Sequence, residues 1–162
     1  MSPIALDPEP ALVLIDLQEG IVGLPTAHPA GEVVTRAAAL TAAFRERGLA
    51  VVLVNVAGQA PGRTEAGHPT GALPPGWADL VPEIDPQPCD HRVTKLRWGA
   101  FHGTDLHAHL QGLGVTQIVL GGIATSMGVE STARSAHEHG YHVTLVTDAM
   151  TDVSGPAHDH SV

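Results

Sequence analysis

Two residues of opposite charge stand at the ends of separate apolar segments of the sequence. Asp16 lies within ALVLIDLQ, residues 11–18, and Lys95 ends HRVTK, residues 91–95. Burial in an aliphatic segment raises the pKa of a carboxyl group, whereas a nearby cation lowers it. If the two side chains meet, Asp16 could move protons as a general acid or base, with Lys95 as its electrostatic partner. A structural ion pair, or an aspartate that caps a helix, fits the same pattern equally well.

A third segment, GGIATSMGVE at residues 121–130, joins an apolar run to a predicted helix. Such loops often carry the nucleophile of α/β enzymes, and the unpaired N–H groups at a helix start can bind an oxyanion. Gly128 has no side chain, so it could leave space for a substrate, mark a lost nucleophile, or only relieve crowding. Ile123, Ala124 and Thr125 are candidates for the wall of this loop.

Five further residues are candidates for contacts with a small-molecule substrate. Arg63 and Arg97 could each hold a carboxylate through two hydrogen bonds. Trp98 and Phe101 could form the wall of an apolar pocket, or could instead pack in the core or against another subunit. Gln18 could orient a substrate or only end the strand that contains Asp16.

The segments between these residues alternate between strand and helix patterns. Short aliphatic runs predict strands buried on both faces, and apolar residues spaced by three or four predict helices. This alternation predicts an α/β fold with a parallel sheet covered on both faces. Thr104 is a plausible N-cap, and the Pro/Gly-rich segment 59–90 is long enough to be a functional loop. The predicted strands are residues 11–18, 49–58, 91–95, 115–122 and 141–150, and the predicted helices are residues 29–47, 103–114 and 126–140.

Polar residues gather where these strands end. Asn55 and Asp148 stand near the ends of the second and fifth predicted strands, as Asp16 and Lys95 do at the first and third. Ligands of such folds bind beyond the carboxyl ends of the strands. We therefore expect Asp16 and Lys95 to lie within ion-pair reach on neighbouring strands, in one pocket with Gly128.

Composition narrows the class of protein. The 162 residues, 43% of them hydrophobic and 15% charged, fit one globular domain, and the scarcity of charge suggests that another subunit covers part of the surface. A net charge of −9 argues against nucleic acid or an anionic membrane as partner. No apolar run approaches the ~20 residues that span a membrane. The single cysteine, Cys89, and the lack of a signal-peptide pattern predict a cytoplasmic protein.

The 11 histidines do not by themselves predict a metal site. His107 and His109 are two positions apart, as are His137 and His139, so the members of each pair lie on opposite sides of a helix. We expect these to be solvated surface histidines, and we predict no metal and no cofactor.

Three segments together resemble the isochorismatase-like hydrolases, also called the cysteine hydrolases: ALVLIDLQ, VTKLRWGAFHGTDL and GGIATSMGVESTARSAHEHGYHVTLVTDAMTD. The resemblance implies a three-layer α/β/α sandwich around a parallel sheet of six strands, and a homodimer or homotetramer. It also implies an Asp–Lys–Cys triad for amide hydrolysis, in which Asp16 and Lys95 match the aspartate and lysine. Gly128 stands at the position of the cysteine, and the Ile123–Ala124 bond matches a peptide bond that is often cis in the family.

The departure at Gly128 changes the chemistry that the resemblance implies. Without a thiol the chain cannot form the acyl-enzyme of the amidases, and Cys89 does not match the nucleophile position. The isochorismatases of the family also lack the cysteine, and they protonate a vinyl ether with the aspartate. We therefore expect Asp-dependent hydrolysis of a vinyl ether or a C–N bond. The alternative is a catalytically silent family member that binds a small molecule or serves in assembly.

Two further family features are missing from this sequence. The segment after the second predicted strand, NVAGQAPGRTEAG, has no histidine, so the Asp-x-His metal motif of the nicotinamidases is absent. Five strands are predicted where the family has six. The single domain predicted over residues 1–162 is accordingly expected to lack the last helix and strand of the family fold.

Overall fold

A parallel five-stranded sheet forms the centre of the fold, as the sequence predicts. The computed structural model describes residues 5–65 and 71–162, so part of the predicted loop 59–90 lies outside the described residues. Every neighbouring pair of strands is parallel. The strands are β1 (Pro10–Ile15), β2 (Ala50–Val56), β3 (His91–Lys95), β4 (Gln117–Ile123) and β5 (His142–Thr151), in the order β3-β2-β1-β4-β5.

Helices cover both faces of this sheet, which confirms the predicted three-layer arrangement. They are α1 (Glu19–Val22), α2 (Ala30–Glu46), α3 (Leu106–Gly112), α4 (Glu130–Glu138) and α5 (Gly155–Ser161). The helix α2 packs on one face, and α3 and α4 pack on the other. Within the described ranges, no helix combines the length and the apolarity needed to cross a membrane.

The central strand β1 shows why aliphatic runs form this sheet. All six of its residues are buried. Successive side chains of a strand point to opposite faces, so Leu12 and Leu14 join the core beneath α2, whereas Val13 and Ile15 join the core beneath α3 and α4. A strand buried on both faces needs apolar residues at every position, which accounts for the continuous run in the sequence.

The predicted placement of Asp16 and Lys95 on neighbouring strands is wrong. Asp16 follows β1 and Lys95 ends β3, and β2 lies between these two strands. Two strand spacings amount to about 10 Å. The long side chain of lysine crosses much of that distance, which explains how the two charged groups still meet.

Neither Asn55 nor Asp148 takes part in a cluster with Asp16. The strand β5 continues to Thr151, and Asp148 lies in an irregularity of its pairing with β4, where the carboxylate binds Arg36 at 3.5 Å. The side chain of Asn55 bonds to the carbonyl of Ala78 and the hydroxyl of Thr94 instead. Both predicted positions at the site are therefore wrong, because a bulge and local hydrogen bonds redirect them.

Helix boundaries differ from the prediction in ways that affect the site. Residues Thr125–Val129 form a π-helical turn before α4 begins. The N-cap of α3 is Asp105, one residue after the predicted Thr104, whose hydroxyl accepts the N–H of Leu106 at 3.4 Å. The short helix α1 and a 3₁₀ turn at Pro82–Ile84 carry too few residues to show a helical period.

Gly122 allows an unusually close approach between β4 and the end of β1. Its φ is 125°, and a Cβ added there would lie 2.1 Å from the carbonyl oxygen and 2.6 Å from the nitrogen of Ile15. Since Ile15 precedes Asp16, this contact fixes the backbone from which the aspartate projects. Only glycine fits both the conformation and the space.

We predict that Gly122→Ala lowers the free energy of unfolding by about 3 kcal/mol or more, because strain and overlap with Ile15 act together. Urea unfolding followed by circular dichroism measures this. Gly31→Ala in α2 is the matched control, since nothing lies within 4 Å of the added Cβ. It should be neutral or stabilise by up to ~1 kcal/mol. A Gly122→Ala protein as stable as the original would show that the close approach is not required.

Candidate functional site

Asp16 and Lys95 form a buried ion pair at the carboxyl end of the sheet. The lysine Nζ lies 2.7 Å from Asp16 Oδ2, and the two side chains are 2% and 8% exposed respectively. The same ammonium donates to the carbonyl of Arg97 at 3.2 Å. The predicted ion-pair reach between the two residues is thus confirmed.

The backbone turns sharply at Asp16 to present the carboxylate. Its φ is 52°, a left-handed conformation that aspartate adopts more readily than branched residues. Its N–H still donates to the carbonyl of Val54 on β2 at 2.8 Å. The strand β1 therefore ends at Ile15, and Asp16 leaves the sheet at a position fixed by a hydrogen bond to β2.

One carboxylate oxygen of Asp16 takes no part in the ion pair with Lys95. Oδ1 is buried and has no hydrogen-bond partner among the described residues. Burial raises the pKa of Asp16 to about 6, and the attraction and hydrogen bond from Lys95, which lower the pKa, offset only part of that increase. A carboxyl group with this pKa exchanges protons near neutral pH, which suits an acid or base.

The ion pair lies in a cavity of about 340 Å³ whose other walls are mostly apolar. Gly128 faces the pair, because a Cβ added there would lie 3.3 Å from Asp16 Oδ2 and 2.8 Å from the Cγ2 methyl of Ile15. The Ile123–Ala124 peptide bond, which borders the cavity, is cis. The uncharged side chains of the wall include Ile21, Leu24, Val56, Trp98, Ile123, Met127 and Val153.

Asp152 holds the π-helical turn that carries Gly128. Its Oδ2 accepts hydrogen bonds from both the N–H and the hydroxyl of Ser126, each at 2.8 Å, and its Oδ1 accepts from the N–H of Ser154 at 3.0 Å. Burial alone would raise the pKa of Asp152, but these hydrogen bonds and one from the N–H of Val153 outweigh it and hold the pKa below its usual value.

The predicted oxyanion wall is only partly available. The N–H groups of Met127 and Val129 donate to the carbonyl of Ala124, and that of Ser126 donates to Asp152. These three donors are therefore already occupied, two of them by Ala124 at the start of the turn and one by Asp152. The turn thus contributes shape to the cavity, and the expectation of free donors at these positions is wrong.

The predicted wall residues are only partly brought together. Ile123, Ala124 and Trp98 line the cavity, as does Gly128. Thr125 does not, because its hydroxyl lies 2.8 Å from His158 Nδ1 and also bonds to a carbonyl of β5. It ties the turn to α5 instead.

Besides Thr125, four predicted substrate contacts fall outside the cavity, namely Phe101, Arg97, Arg63 and Gln18. Phe101 is buried in the core beside Tyr141, with ring centroids 6.0 Å apart. Arg97 is turned away, and its guanidinium donates to the carbonyls of Gln59 and Leu96. Arg63 is exposed and is not part of the cavity wall. These placements correct the prediction, because backbone carbonyls bind the guanidinium of Arg97 and the core encloses the ring of Phe101.

Gln18 has a structural position rather than a place in the cavity. It is fully buried, and its side-chain amide bonds both the N–H and the carbonyl of Val56 as well as the carbonyl of Trp77. These contacts join the end of β1 to the end of β2 and to the loop before the 3₁₀ turn. Orienting a substrate is therefore not its role in this arrangement.

His137 and His139 are exposed, as predicted, whereas His107 and His109 are only partly exposed. The ring of His107 stacks on His139 at 4.1 Å, and that of His109 stacks on His91 at 3.6 Å. Burial, together with the neighbouring His91, lowers the pKa of His109. In the part of the chain that the structure describes, no group of three His, Cys, Asp or Glu side chains is placed to hold a metal ion.

Several residues of the cavity escape prediction from the sequence. Ile21 and Leu24 come soon after β1, Met127 lies within the π-helical turn, and Val153 follows β5. A cluster of apolar residues directly after a predicted strand was the available signal for the first two. For Asp152, the available signal was a carboxylate just after the fifth predicted strand, at the end of the segment TDAMTD.

Comparison with known proteins agrees with this architecture. Residues 10–162 match the family model described as an isochorismatase domain. The chain belongs to the isochorismatase family. The isochorismatase family protein YwoC of Bacillus subtilis (strain 168) is 44% identical over 156 residues, covering 92% of this chain and 81% of that protein.

Two further isochorismatase-family relatives extend the comparison. The solved structure of a family member from Burkholderia thailandensis matches with a TM-score of 0.92 at 44% identity, covering 96% of this chain and 86% of that one. The ureidoacrylate amidohydrolase RutB of Methylobacterium radiotolerans is 31% identical over 192 residues, covering 98% of this chain and 73% of that protein. This isochorismatase-family chain is therefore similar to hydrolases over nearly all of its length.

We predict that Lys95→Met raises the pKa of Asp16 above about 6, because both effects that lower it are removed. A folded-state pKa above the unfolded value means that the native state binds the proton more tightly, so stability is kept at low pH and lost as pH rises through the folded pKa. At about pH 5 the variant should be nearly as stable as the original protein. At higher pH its free energy of unfolding should be lower than that of the original by roughly 3–5 kcal/mol.

Urea midpoints measured across that pH range test this prediction. The control is Arg134→Met, which breaks an ion pair whose arginine side chain is 76% exposed. It should change the midpoint little at any pH, because water screens exposed pairs. A Lys95→Met deficit that is the same at every pH would contradict the proposed link to Asp16.

We also predict that Asp152→Asn destabilises the chain by about 1–3 kcal/mol at neutral pH, because an amide cannot replace all the hydrogen bonds to Ser126 and Ser154. A depressed pKa contributes stability above the unfolded value of 3.8, and this contribution is lost as pH falls. The deficit should therefore shrink in acid. Asp159→Asn, an exposed change on α5, serves as control, and an equal deficit from both would argue against the hydrogen bonds of Asp152 as the cause.

Proposed function

We propose that this isochorismatase-family chain hydrolyses a C–N bond of a small amide-like molecule, with water as the nucleophile and Asp16 as the group that moves protons. The observation that carries the proposal is that Asp16 lines the cavity and that its buried Oδ1 has no hydrogen-bond partner among the described residues. A buried acceptor with no partner is costly unless something binds it. Water or a substrate group would satisfy it.

In the proposed reaction Asp16 accepts one proton and later gives the same proton up. Oδ1 accepts a proton from water as the water oxygen bonds to the carbonyl carbon of the substrate. The neutral Asp16 then donates that proton to the leaving nitrogen as the C–N bond breaks. Lys95 stays bound to Oδ2, so it orients the carboxylate and balances its charge. The products are a carboxylic or carbamic acid and an amine, and Asp16 ends as it began.

Direct attack by water fits the residues around the pair. Gly128 offers no thiol, and the only cysteine is exposed and belongs to another cavity. That cavity contains Cys89 together with Pro10 and Ala50, which are the first residues of β1 and β2, so it opens at the amino end of the sheet. The activity of a relative, the ureidoacrylate amidohydrolase RutB, supports C–N hydrolysis.

Hydrolysis of a vinyl ether is the second candidate, and the raised pKa of Asp16 favours it specifically. In this reaction neutral Asp16 protonates the alkene carbon, water adds to the resulting oxocarbenium carbon and returns a proton to Asp16, and the hemiketal then breaks its C–O bond to give an alcohol and a carbonyl compound. The two candidates predict opposite pH profiles. Attack by water on an amide needs the carboxylate, so kcat/KM rises as pH passes about 6; protonation of a vinyl ether needs the acid, so kcat/KM falls.

We predict that Asp16→Asn lowers turnover by about 10²–10⁴-fold, the usual contribution of a positioned acid or base. The assay is hydrolysis of a panel of small amides, ureido compounds and one vinyl ether, with the pH profile of any active substrate. Cys89→Ser is the control and should leave turnover unchanged. Loss of activity on the Cys89 change, with the fold intact, would overturn the assignment of Asp16.

The panel also tests the alternative of a silent family member. A binding or assembly protein would turn over none of these compounds. Catalytic loss with ligand binding retained supports the hydrolase.

A further inference from the structure

The cavity around Asp16 holds only one pair of charges. Among the described residues that line it, Asp16 and Lys95 are the charged ones, and they bind each other at 2.7 Å. The positive charge of Lys95 is therefore already neutralised. A substrate anion placed beside the pair would meet the Asp16 carboxylate at close range, and like charges in a buried site repel strongly.

The arginines do not supply a second cation to this cavity. Arg97 donates to the carbonyls of Gln59 and Leu96, and Arg63 lies outside the cavity wall. The net charge of −9 adds a negative background potential. Within the described part of the chain, a substrate carboxylate thus lacks the bidentate partner that usually binds it.

The remaining wall suits an apolar group instead. Leu24, Trp98, Met127 and Val153 surround the cavity, and they are 43%, 55%, 42% and 51% exposed. Four large apolar side chains half-exposed around one opening form a surface that gains from being covered. The volume of about 340 Å³ lies at the small end of ligand cavities.

We infer that the substrate is an uncharged small molecule in which the hydrolysable group is joined to an aromatic or aliphatic body. The polar group would reach the Asp16–Lys95 pair while the body rests against Trp98 and its apolar neighbours. This inference rests on the proposed function, since it names the substrate class of the same site. It excludes carboxylate-bearing substrates as the preferred class.

Benzamide and benzoate test the inference, because they share a ring and differ in charge. The chain has two tryptophans, and the ring of Trp77 packs against Gly20 outside the cavity, so quenching of Trp98 fluorescence reports binding. We expect benzamide to bind at least about tenfold more tightly than benzoate, a difference of ~1.4 kcal/mol. Trp98→Phe should remove the signal.

A matched pair of variants makes the comparison specific. Val153→Arg adds a cation to the cavity wall and should shift the ratio of the two dissociation constants about tenfold toward benzoate. Val162→Arg adds the same charge at a valine that is similarly exposed, at 56% against 51%, but outside the cavity wall. This control should leave the ratio unchanged.

Three outcomes would overturn the inference. They are benzoate binding as tightly as benzamide, neither probe binding below about 10 mM, or both arginine variants shifting the ratio equally. None of them bears on the loss of turnover in Asp16→Asn, which tests the hydrolase itself. Failure of the substrate class and failure of the proposed activity can therefore be told apart.

Discussion

A lysine ammonium and an aspartate carboxylate both lose their hydration when they are buried, and the contact of 2.7 Å between Lys95 and Asp16 is what makes that loss tolerable. The compensation is incomplete. One oxygen of Asp16 has its partner and the other has none among the described residues, and the pKa of the carboxyl group is raised to about 6. The same interaction that stabilises the pair thus leaves a group able to exchange protons with a ligand.

Much of the surrounding backbone serves to hold this pair in place. Gly122 lets β4 approach Ile15, the N–H of Asp16 bonds to β2, and Gln18 joins the ends of β1 and β2. On the other side, Asp152 fixes the π-helical turn that brings Gly128 against the carboxylate. Rigid elements place each of these groups, as the proposed proton transfer by Asp16 requires.

The sequence was most informative where one physical signal dominates. The third strand is observed at its predicted bounds, 91–95, and the long helix within one residue of its predicted ends, because apolar period and flanking residues agree there. The pair of Asp16 and Lys95 could be predicted because charged residues seldom end buried strands without a partner. Strand order could not, since aliphatic runs of similar composition do not specify their neighbours.

The errors concern long side chains and local irregularities. Arg97 and Phe101 were assigned to a pocket by residue type, but backbone carbonyls and the core bind them instead. Asp148 was misplaced because a bulge in β5 leaves no trace in the pattern of apolar residues. The apolar wall from Leu24 and Met127 forms only when distant segments meet, and no local pattern encodes such an encounter.

The middle position of β1 has a consequence for how the protein reaches its native state. This strand pairs with β2 on one side and with β4 on the other, where Pro10 is opposite Gln117, more than 100 positions along the chain. Such distant contacts require the closure of long loops, which slows folding. Asp16 and Lys95 are themselves 79 positions apart. An intermediate that has joined β1 to β2 alone still exposes the edge meant for β4 and cannot enclose the carboxylate. The cavity is therefore complete only when the whole sheet has formed, and a nascent or truncated chain that lacks β4 has an unpaired strand edge that is open to edge-to-edge association.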